Sequence, residues 1–148
     1  AFDYLQSLGA GAVLTRDQLA FGSRPLEAAR FGGAIDSVGG EMLAGLTRHM
    51  DFWGNIASVG LAGGAELRTT VMPFILRGVS LLGINSVECP MAARQRLWNK
   101  LAVEWRPDKV HDQVRTIDFD ELPTHFDPYL KGMVRGRTVV RIAPDTHP

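Results

Sequence analysis

A compact apolar run that breaks abruptly into glycines constrains the fold of this chain more than any other feature. Residues 56–59 have the length and composition of a buried strand, and the glycine-rich segment 60–64 follows directly. A buried parallel strand ends in this way over a ligand, because glycine lets the backbone approach a bound molecule closely. For a single unit, the alternative is that the glycines only form tight turns.

The pattern occurs three times, and the repetition favours a ligand-binding edge over isolated turns. A weaker copy lies upstream at residues 33–40, and a third lies downstream at residues 79–87. The stretch 41–50 between the first two units has helical periodicity and predicts a crossover helix. Strands that end in small loops and are joined by helices predict an α/β fold, a doubly wound parallel sheet with ligand loops at its carboxyl edge.

Shorter signals predict the remaining elements. We expect the first residues to form a helix that ends at Gly9, and the lack of a capping residue before it suggests that the chain starts inside a structural unit. The long helix expected at 91–105 carries an apolar stripe, Leu97, Leu101 and Trp105, that we assign to the core. The other predicted elements are strand 12–14, helix 25–30, one helical turn before residue 77, strand 114–119, helix 120–131 and strand 138–142.

Composition excludes several classes of protein. Sixteen basic and sixteen acidic residues cancel, so no net field attracts nucleic acid or an anionic membrane. The single cysteine, Cys89, excludes an internal disulfide and a multi-cysteine zinc site. No apolar run reaches membrane-spanning length, and the first residues lack the pattern of a signal peptide. We therefore expect a soluble, cytoplasmic protein.

The familiar catalytic motifs are absent from the sequence. There is no G-x-S-x-G elbow, no H-E-x-x-H pair and no Walker loop, and the four histidines (His49, His111, His125 and His147) are scattered without ligand spacing. The dinucleotide fingerprint G-x-G-x-x-G is also absent; residues 9–14 come closest and fail at the last position. The sequence thus predicts a ligand edge without a phosphate loop.

Six segments together carry a family resemblance. From residue 7 to residue 142, the sequence resembles the C-terminal portion of a zinc-independent medium-chain dehydrogenase/reductase, of the quinone oxidoreductase and acryloyl-CoA reductase branch. The block 60–77 is the specific part, since the strand-and-glycine pattern alone fits any dehydrogenase of the superfamily. The matching segments are residues 7–10, 13–17, 34–39, 60–64, 69–77 and 136–140.

The resemblance implies a fold and its division into domains. Residues 1–111 would form a partial Rossmann cofactor-binding domain, in which the first two strands and the glycine-rich loop are missing. Residues 112–148 would be a C-terminal segment that returns to a GroES-like catalytic domain. In this interpretation the chain is a fragment, and strand 12–14 lacks its usual neighbours.

The resemblance also implies an activity for the intact enzyme. It would use NADPH to reduce an activated carbon–carbon double bond of a small-molecule substrate, an acryloyl-CoA, enone or quinone, without zinc. No catalytic residue is assigned within this segment. The cofactor-binding residues that the resemblance implies by position are Arg16, Ser37, Val38, Gly60, Leu61, Ala62, Asn85, Ser86 and Arg137.

Structural roles remain open for several of these residues. Asp36 is expected to bond to neighbouring backbone, Asn85 to cap a turn, and Arg137 to pair with an acidic neighbour, if they do not serve a ligand. The competing hypothesis for the chain itself is a module without turnover, which forms a homodimer through the edge strand between Val79 and Ile84. A third possibility is an independent domain for another nucleotide, against which the lack of a basic phosphate cradle argues.

Overall fold

The computed structural model describes residues 2–109 and 113–142 of the chain. The chain divides into two compact units, Ala1–Pro90 and Met91–Pro148. The domain boundary predicted between residues 111 and 112 lies outside the described residues, as do His111 and His147. No helix among the described residues is long and apolar enough to cross a bilayer.

The first unit is built around a parallel three-stranded sheet. The strands are β1 (Phe31–Asp36), β2 (Met50–Ser58) and β3 (Ser80–Gly83), in the order β1-β2-β3. Its helices are α1 (Phe2–Ser7), α2 (Arg16–Leu19), α3 (Gly40–His49) and α4 (Met72–Arg77). The register pairs Ala34 with Ile56, and Ile56 with Leu81. The predicted α/β architecture with parallel strands is confirmed, including the crossover helix between β1 and β2.

The core of this unit lies between α3 and the sheet. Leu43, Met50, Ile56 and Val79 form its buried apolar cluster, and Phe74 packs against it from α4. Because apolar burial contributes about 1.5–3 kcal/mol for each large side chain, these few residues account for much of the unit's cohesion. The core holds the three strands in register, which brings their carboxyl ends to one edge.

Two predicted elements are wrong, and both lie before β1. Residues 12–14 form no strand, because no neighbouring strand pairs with them, and Leu14 is exposed. A strand without a partner leaves its backbone groups unsatisfied. Residues 25–30 form no helix; they belong to an irregular segment, residues 20–30, that we call the strap.

Backbone carbonyl groups of the strap bond to side chains that are distant in sequence, and not to the amides of a helical turn. Arg48 donates to the carbonyl of Gly22 at 2.9 Å, and His49 Nδ1 lies 2.9 Å from the carbonyl oxygen of Ala28. Arg77 binds the carbonyl of Glu27 and also donates to that of Met50 at 2.8 Å. The end of α3 and the end of α4 thereby fix the path of the strap.

The second unit contains a helix, a parallel strand pair and a helix between the paired strands. Its elements are α5 (Met91–Ala102), β4 (Val114–Asp118), a 3-10 turn (Phe119–Glu121), α6 (Leu122–Leu130) and β5 (Arg137–Arg141). Strands β4 and β5 are parallel, with Ile117 opposite Val140. Four of these elements match the predicted helices and strands in position.

The apolar stripe of α5 was expected in the core, and this prediction is wrong. Leu97, Leu101 and Trp105 are 40–49% exposed. The helix also ends three residues early, at Ala102, because the Trp105 amide donates to the Lys100 carbonyl at 2.8 Å and closes the chain back on the last turn. The Lys100 ammonium lies 4.6 Å from the centre of the Trp105 ring, a cation–π contact.

Candidate functional site

A cleft of about 600 Å³ opens at the carboxyl edge of the three-stranded sheet. The strand ends are held level there by two hydrogen bonds that continue the ladders: the Val59 amide donates to Asp36 at 2.8 Å, and the Ile84 amide donates to Ser58 at 2.9 Å. The lining residues are Gly39, Gly40, Leu43, Ser58, Val59, Gly60, Leu61, Gly64, Ala65, Glu66, Leu67, Gly83, Ile84 and Asn85. Such a position, beyond the carboxyl ends of parallel strands, is where open α/β sheets bind ligands.

The glycines at this edge let two loops of the protein approach one another. Gly39 and Gly40 have φ of +70° and +55°, in the left-handed region that favours glycine. A Cβ at Gly40 would lie 2.9 Å from the carbonyl oxygen of Gly63, which leaves no room for a side chain. The Gly63 amide donates to the Val38 carbonyl at 2.6 Å and ties the loops together. At these positions the close approach is between backbones of the chain itself.

Asp36 shapes the first of these loops from inside. Its side chain is buried, and its carboxylate accepts from the Gly39 amide at 3.0 Å and from the Val38 amide at 3.2 Å. Both amides precede α3, so the carboxylate satisfies donors that the turn would otherwise leave unpaired. The expected structural role of Asp36, bonding to neighbouring backbone, is confirmed.

The structure brings only part of the predicted cofactor site together. Gly60, Leu61 and Asn85 line the cleft. The Asn85 side-chain oxygen accepts from the Glu88 amide at 3.1 Å, so this residue also caps a turn. The loop residues Ser37, Ala62 and Ser86 are exposed and are not among the cleft-lining residues.

Two predicted residues line a separate cavity, and one lies in the other unit. Arg16 and Val38 line a cavity of about 240 Å³, whose walls also include Phe21 and Met42. Arg137 begins β5 in the second unit. The cofactor-binding roles of these residues stay predictions.

The cleft has lining residues that sequence reasoning missed. Leu43 and Leu67 give it apolar walls, and the exposed Glu66 also lines it. Leu43 was detectable, since it lies on the inward stripe of α3 one turn after the Gly39–Gly40 pair. No local pattern in the sequence marks Glu66 or Leu67, which lie in an irregular loop.

The electrostatics of the cleft favour an uncharged group over a phosphate. Among the described residues that line it, Glu66 is the one charged side chain, and it pairs with Arg68 at 2.6 Å. The other polar groups of the lining residues are backbone at the strand ends, the Ser58 hydroxyl and the Asn85 amide. Within the described parts of the chain, no group of three or more His, Cys, Asp or Glu side chains is placed to hold a metal ion.

Comparisons with known proteins identify the family. No protein-family model matches the chain. The acrylyl-CoA reductase AcuI of Ruegeria pomeroyi is 45% identical over 141 residues, which are 95% of this chain and 43% of that protein. The crystal structure of E. coli K-12 YhdH with bound NADPH matches with a TM-score of 0.84 and 41% identity, over 96% of this chain and 44% of that one. The crystal structure of Bacillus subtilis YhfP with NAD bound matches with a TM-score of 0.89 and 39% identity, over 95% of this chain and 43% of that one.

A parallel sheet with helical crossovers and a cleft at its carboxyl edge defines an open α/β unit, the class of fold that binds ligands at that edge. The chain belongs to the medium-chain dehydrogenase/reductase family and corresponds to the C-terminal portion of its acrylyl-CoA reductases and quinone oxidoreductases. It spans less than half the length of the relatives it matches.

Proposed function

We propose that the cleft holds the nicotinamide end of NADPH. The observation that carries this proposal is the chemistry of the walls: strand-end backbone, apolar side chains, the Ser58 hydroxyl and the Asn85 amide line the space, the one charged lining side chain is Glu66, and no basic side chain is among the described lining residues. Leu43, Leu61 and Leu67 offer contact area to a flat ring, while Asn85 and the backbone at Gly60 offer hydrogen-bonding groups to a carboxamide. Two related crystal structures, with NADPH and NAD bound, support the choice of ligand.

In the intact protein, this part would serve as one wall of a reductase active site. When bound, NADPH supplies a hydride to the β-carbon of an activated double bond, in an acryloyl-CoA, enone or quinone substrate. The cleft residues of this chain orient the ring and exclude water from one of its faces. Residues 112–148 would contribute to a separate catalytic domain, which holds the substrate.

The 148-residue chain by itself is proposed to bind weakly and to carry out no turnover. Its sequence holds no G-x-G-x-x-G loop, and no basic side chain lines the cleft within the part of the chain that the structure describes. The pyrophosphate of a dinucleotide is normally held by such a loop and a helix N-terminus. Without them, the ring end of the cofactor is the part that the chain can recognise.

A titration of NADPH into the chain, followed by its fluorescence, tests this proposal. We expect saturable binding that weakens several-fold in Leu61→Ala and in Asn85→Ala. Leu130→Ala is the matched control, because Leu130 is 84% exposed on α6 in the other unit. Equal weakening in all three variants, or no binding by a folded wild-type chain, would contradict a cofactor site in the cleft.

We also propose that β3 is the homodimer edge between Val79 and Ile84. Strand β3 is last in the sheet order, and Leu82 and Ile84 are 48% and 46% exposed. Pairing with a second copy would cover an apolar edge that otherwise invites aggregation. Leu82→Asp should then yield monomer or aggregate by light scattering, whereas Leu97→Asp, at a site 46% exposed on α5, should not.

A further inference from the structure

The outer wall of the cleft is a segment without main-chain support. Residues 65–68 carry Glu66 and Leu67 to the cleft, and they follow Gly64 in an irregular loop. Among the described residues, no main-chain-to-main-chain hydrogen bond involves residues 65–70. The position of this wall must therefore depend on contacts made by side chains.

One side-chain contact at the end of the wall is short and buried. The hydroxyl oxygens of Thr47 and Thr69 lie 2.7 Å apart, across 22 residues of sequence. Thr47 is fully buried in α3, and its hydroxyl donates to the Ala44 carbonyl at 2.8 Å. A hydroxyl has one proton to donate. Thr69 is therefore the donor of the pair, and Thr47 accepts from it.

The other contacts of the segment are weaker or lie at its beginning. Arg48 reaches the Arg68 carbonyl at 3.4 Å, a long hydrogen bond. At the beginning, the Gly63 amide binds the Val38 carbonyl at 2.6 Å. The wall is thus held at its beginning by the hydrogen bond of Gly63 and at its end by the hydroxyl pair of Thr69.

We infer that the Thr47–Thr69 pair is a positioning element that sets the outer wall of the cleft, and through it the affinity for NADPH. This role rests on the proposed function of the cleft. It also gives a physical meaning to residues 69–77, one of the six segments that carry the family resemblance. Both Thr69 at its start and Arg77 at its end make internal contacts, since Arg77 binds the carbonyls of Met50 and Glu27.

Limited trypsin digestion tests the hydrogen bond between Thr47 and Thr69, which we call the anchor, without any ligand. Arg68 is largely exposed, with a side chain 73% accessible, and it immediately precedes the anchor. Thr47→Val removes the acceptor and leaves the cleaved sequence unchanged. Cleavage after Arg68 should become about three- to tenfold faster, because a net hydrogen bond is worth that factor in the open population. Cleavage after Arg135, in the second unit, is the internal reference.

Conservative variants separate the hydroxyl from the bulk of the residue. Thr47→Ser keeps the acceptor and should restore slow cleavage. Thr69→Val tests the donor at a half-buried position, should Thr47→Val fail to fold. Thr70→Val is the matched control, since the exposed Thr70 hydroxyl accepts only from the Met72 amide at 3.3 Å among the described contacts.

The dissociation constant of NADPH then decides the positioning role. Thr47→Val and Thr69→Val should each raise it about three- to tenfold, with Thr47→Ser and Thr70→Val near wild type. An unchanged rate of cleavage after Arg68 in Thr47→Val and Thr69→Val would overturn the anchor. Faster cleavage with an unchanged dissociation constant of NADPH would overturn its role in binding. A wild-type chain that binds no NADPH would overturn the proposed function and this role together, while the cleavage rates would still decide whether the anchor exists.

Discussion

Gly60 and Gly83 provide a direct comparison of what glycine does at the cleft edge. Both line the cleft, and neither has a left-handed φ, so alanine would not strain the backbone at either position. A Cβ at Gly60 would lie 2.9 Å from the carbonyl carbon of Ser37 and 3.1 Å from its Cα. At Gly83, no atom lies within 4 Å of the corresponding position.

The difference in stability follows from these distances. Gly60→Ala forces two backbones apart, and overpacking of this kind costs about 1–3 kcal/mol. Gly83→Ala meets open space and restricts the unfolded chain, which stabilises a protein by about 0.4–1 kcal/mol. We therefore expect Gly60→Ala to be less stable than Gly83→Ala by about 1.4–4 kcal/mol.

Urea unfolding followed by Trp53 fluorescence measures this difference. The chain has three tryptophans, and Trp98 and Trp105 lie in the second unit, so both are replaced by Phe in every variant. The fluorescence transition then reports the unfolding of the first unit alone. With all three tryptophans present, the unfolding of the two units would overlap in the signal. Equal free energies of unfolding for the two variants would refute the conclusion that Gly60 serves loop packing. The larger substitution Gly60→Val should also weaken NADPH binding, because its side chain would displace the loop at Ser37.

Three further predictions concern side chains that bind backbone. Asp36→Ala should lower the free energy of unfolding by about 1–3 kcal/mol, because buried amides lose their acceptor, and Asp36→Asn should cost less; urea unfolding measures both. Hydrogen bonds from the Arg24 side chain, and then from its backbone amide, lower the pKa of Glu27. The stability that Glu27 contributes is therefore present above its unfolded pKa and lost as the pH falls through its folded pKa, so wild type and Glu27→Gln should converge in acid. Arg77→Lys should destabilise by about 1–3 kcal/mol, since lysine lacks the fork that reaches several carbonyls, whereas Arg68→Lys, in an exposed ion pair, should be near neutral by the same measurement.

Local sequence predicted the sheet well. The strands β1, β2 and β3 each end in small residues, and that pattern depends only on neighbours along the chain. The crossover helix α3 was equally clear from its periodicity. The resemblance implied Gly60, Leu61 and Asn85 by position, and these three lie in one cleft because parallel strands bring their ends to one edge.

What the sequence did not predict depends on partners far along the chain. The sequence predicts a helix at residues 25–30. In the structure, Arg48 instead donates to the Gly22 carbonyl across 26 residues of sequence, and Arg77 donates to the Glu27 carbonyl across 50. The position of Leu67 in the cleft depends on the tie between Thr47 and Thr69, which no local pattern marks. Periodicity cannot report contacts of this kind, since they exist only once α3 and the sheet have packed.

Backbone amide shifts during an NADPH titration of the isotope-labelled chain test the central claim most directly. If the cleft holds the nicotinamide end, the amides of Gly60, Leu61, Gly83 and Ile84 should shift together and saturate with one dissociation constant. Those of β4 and β5 should stay in place. Shifts confined to the second unit, or none in a folded chain, would contradict the assignment of the cleft as a cofactor site.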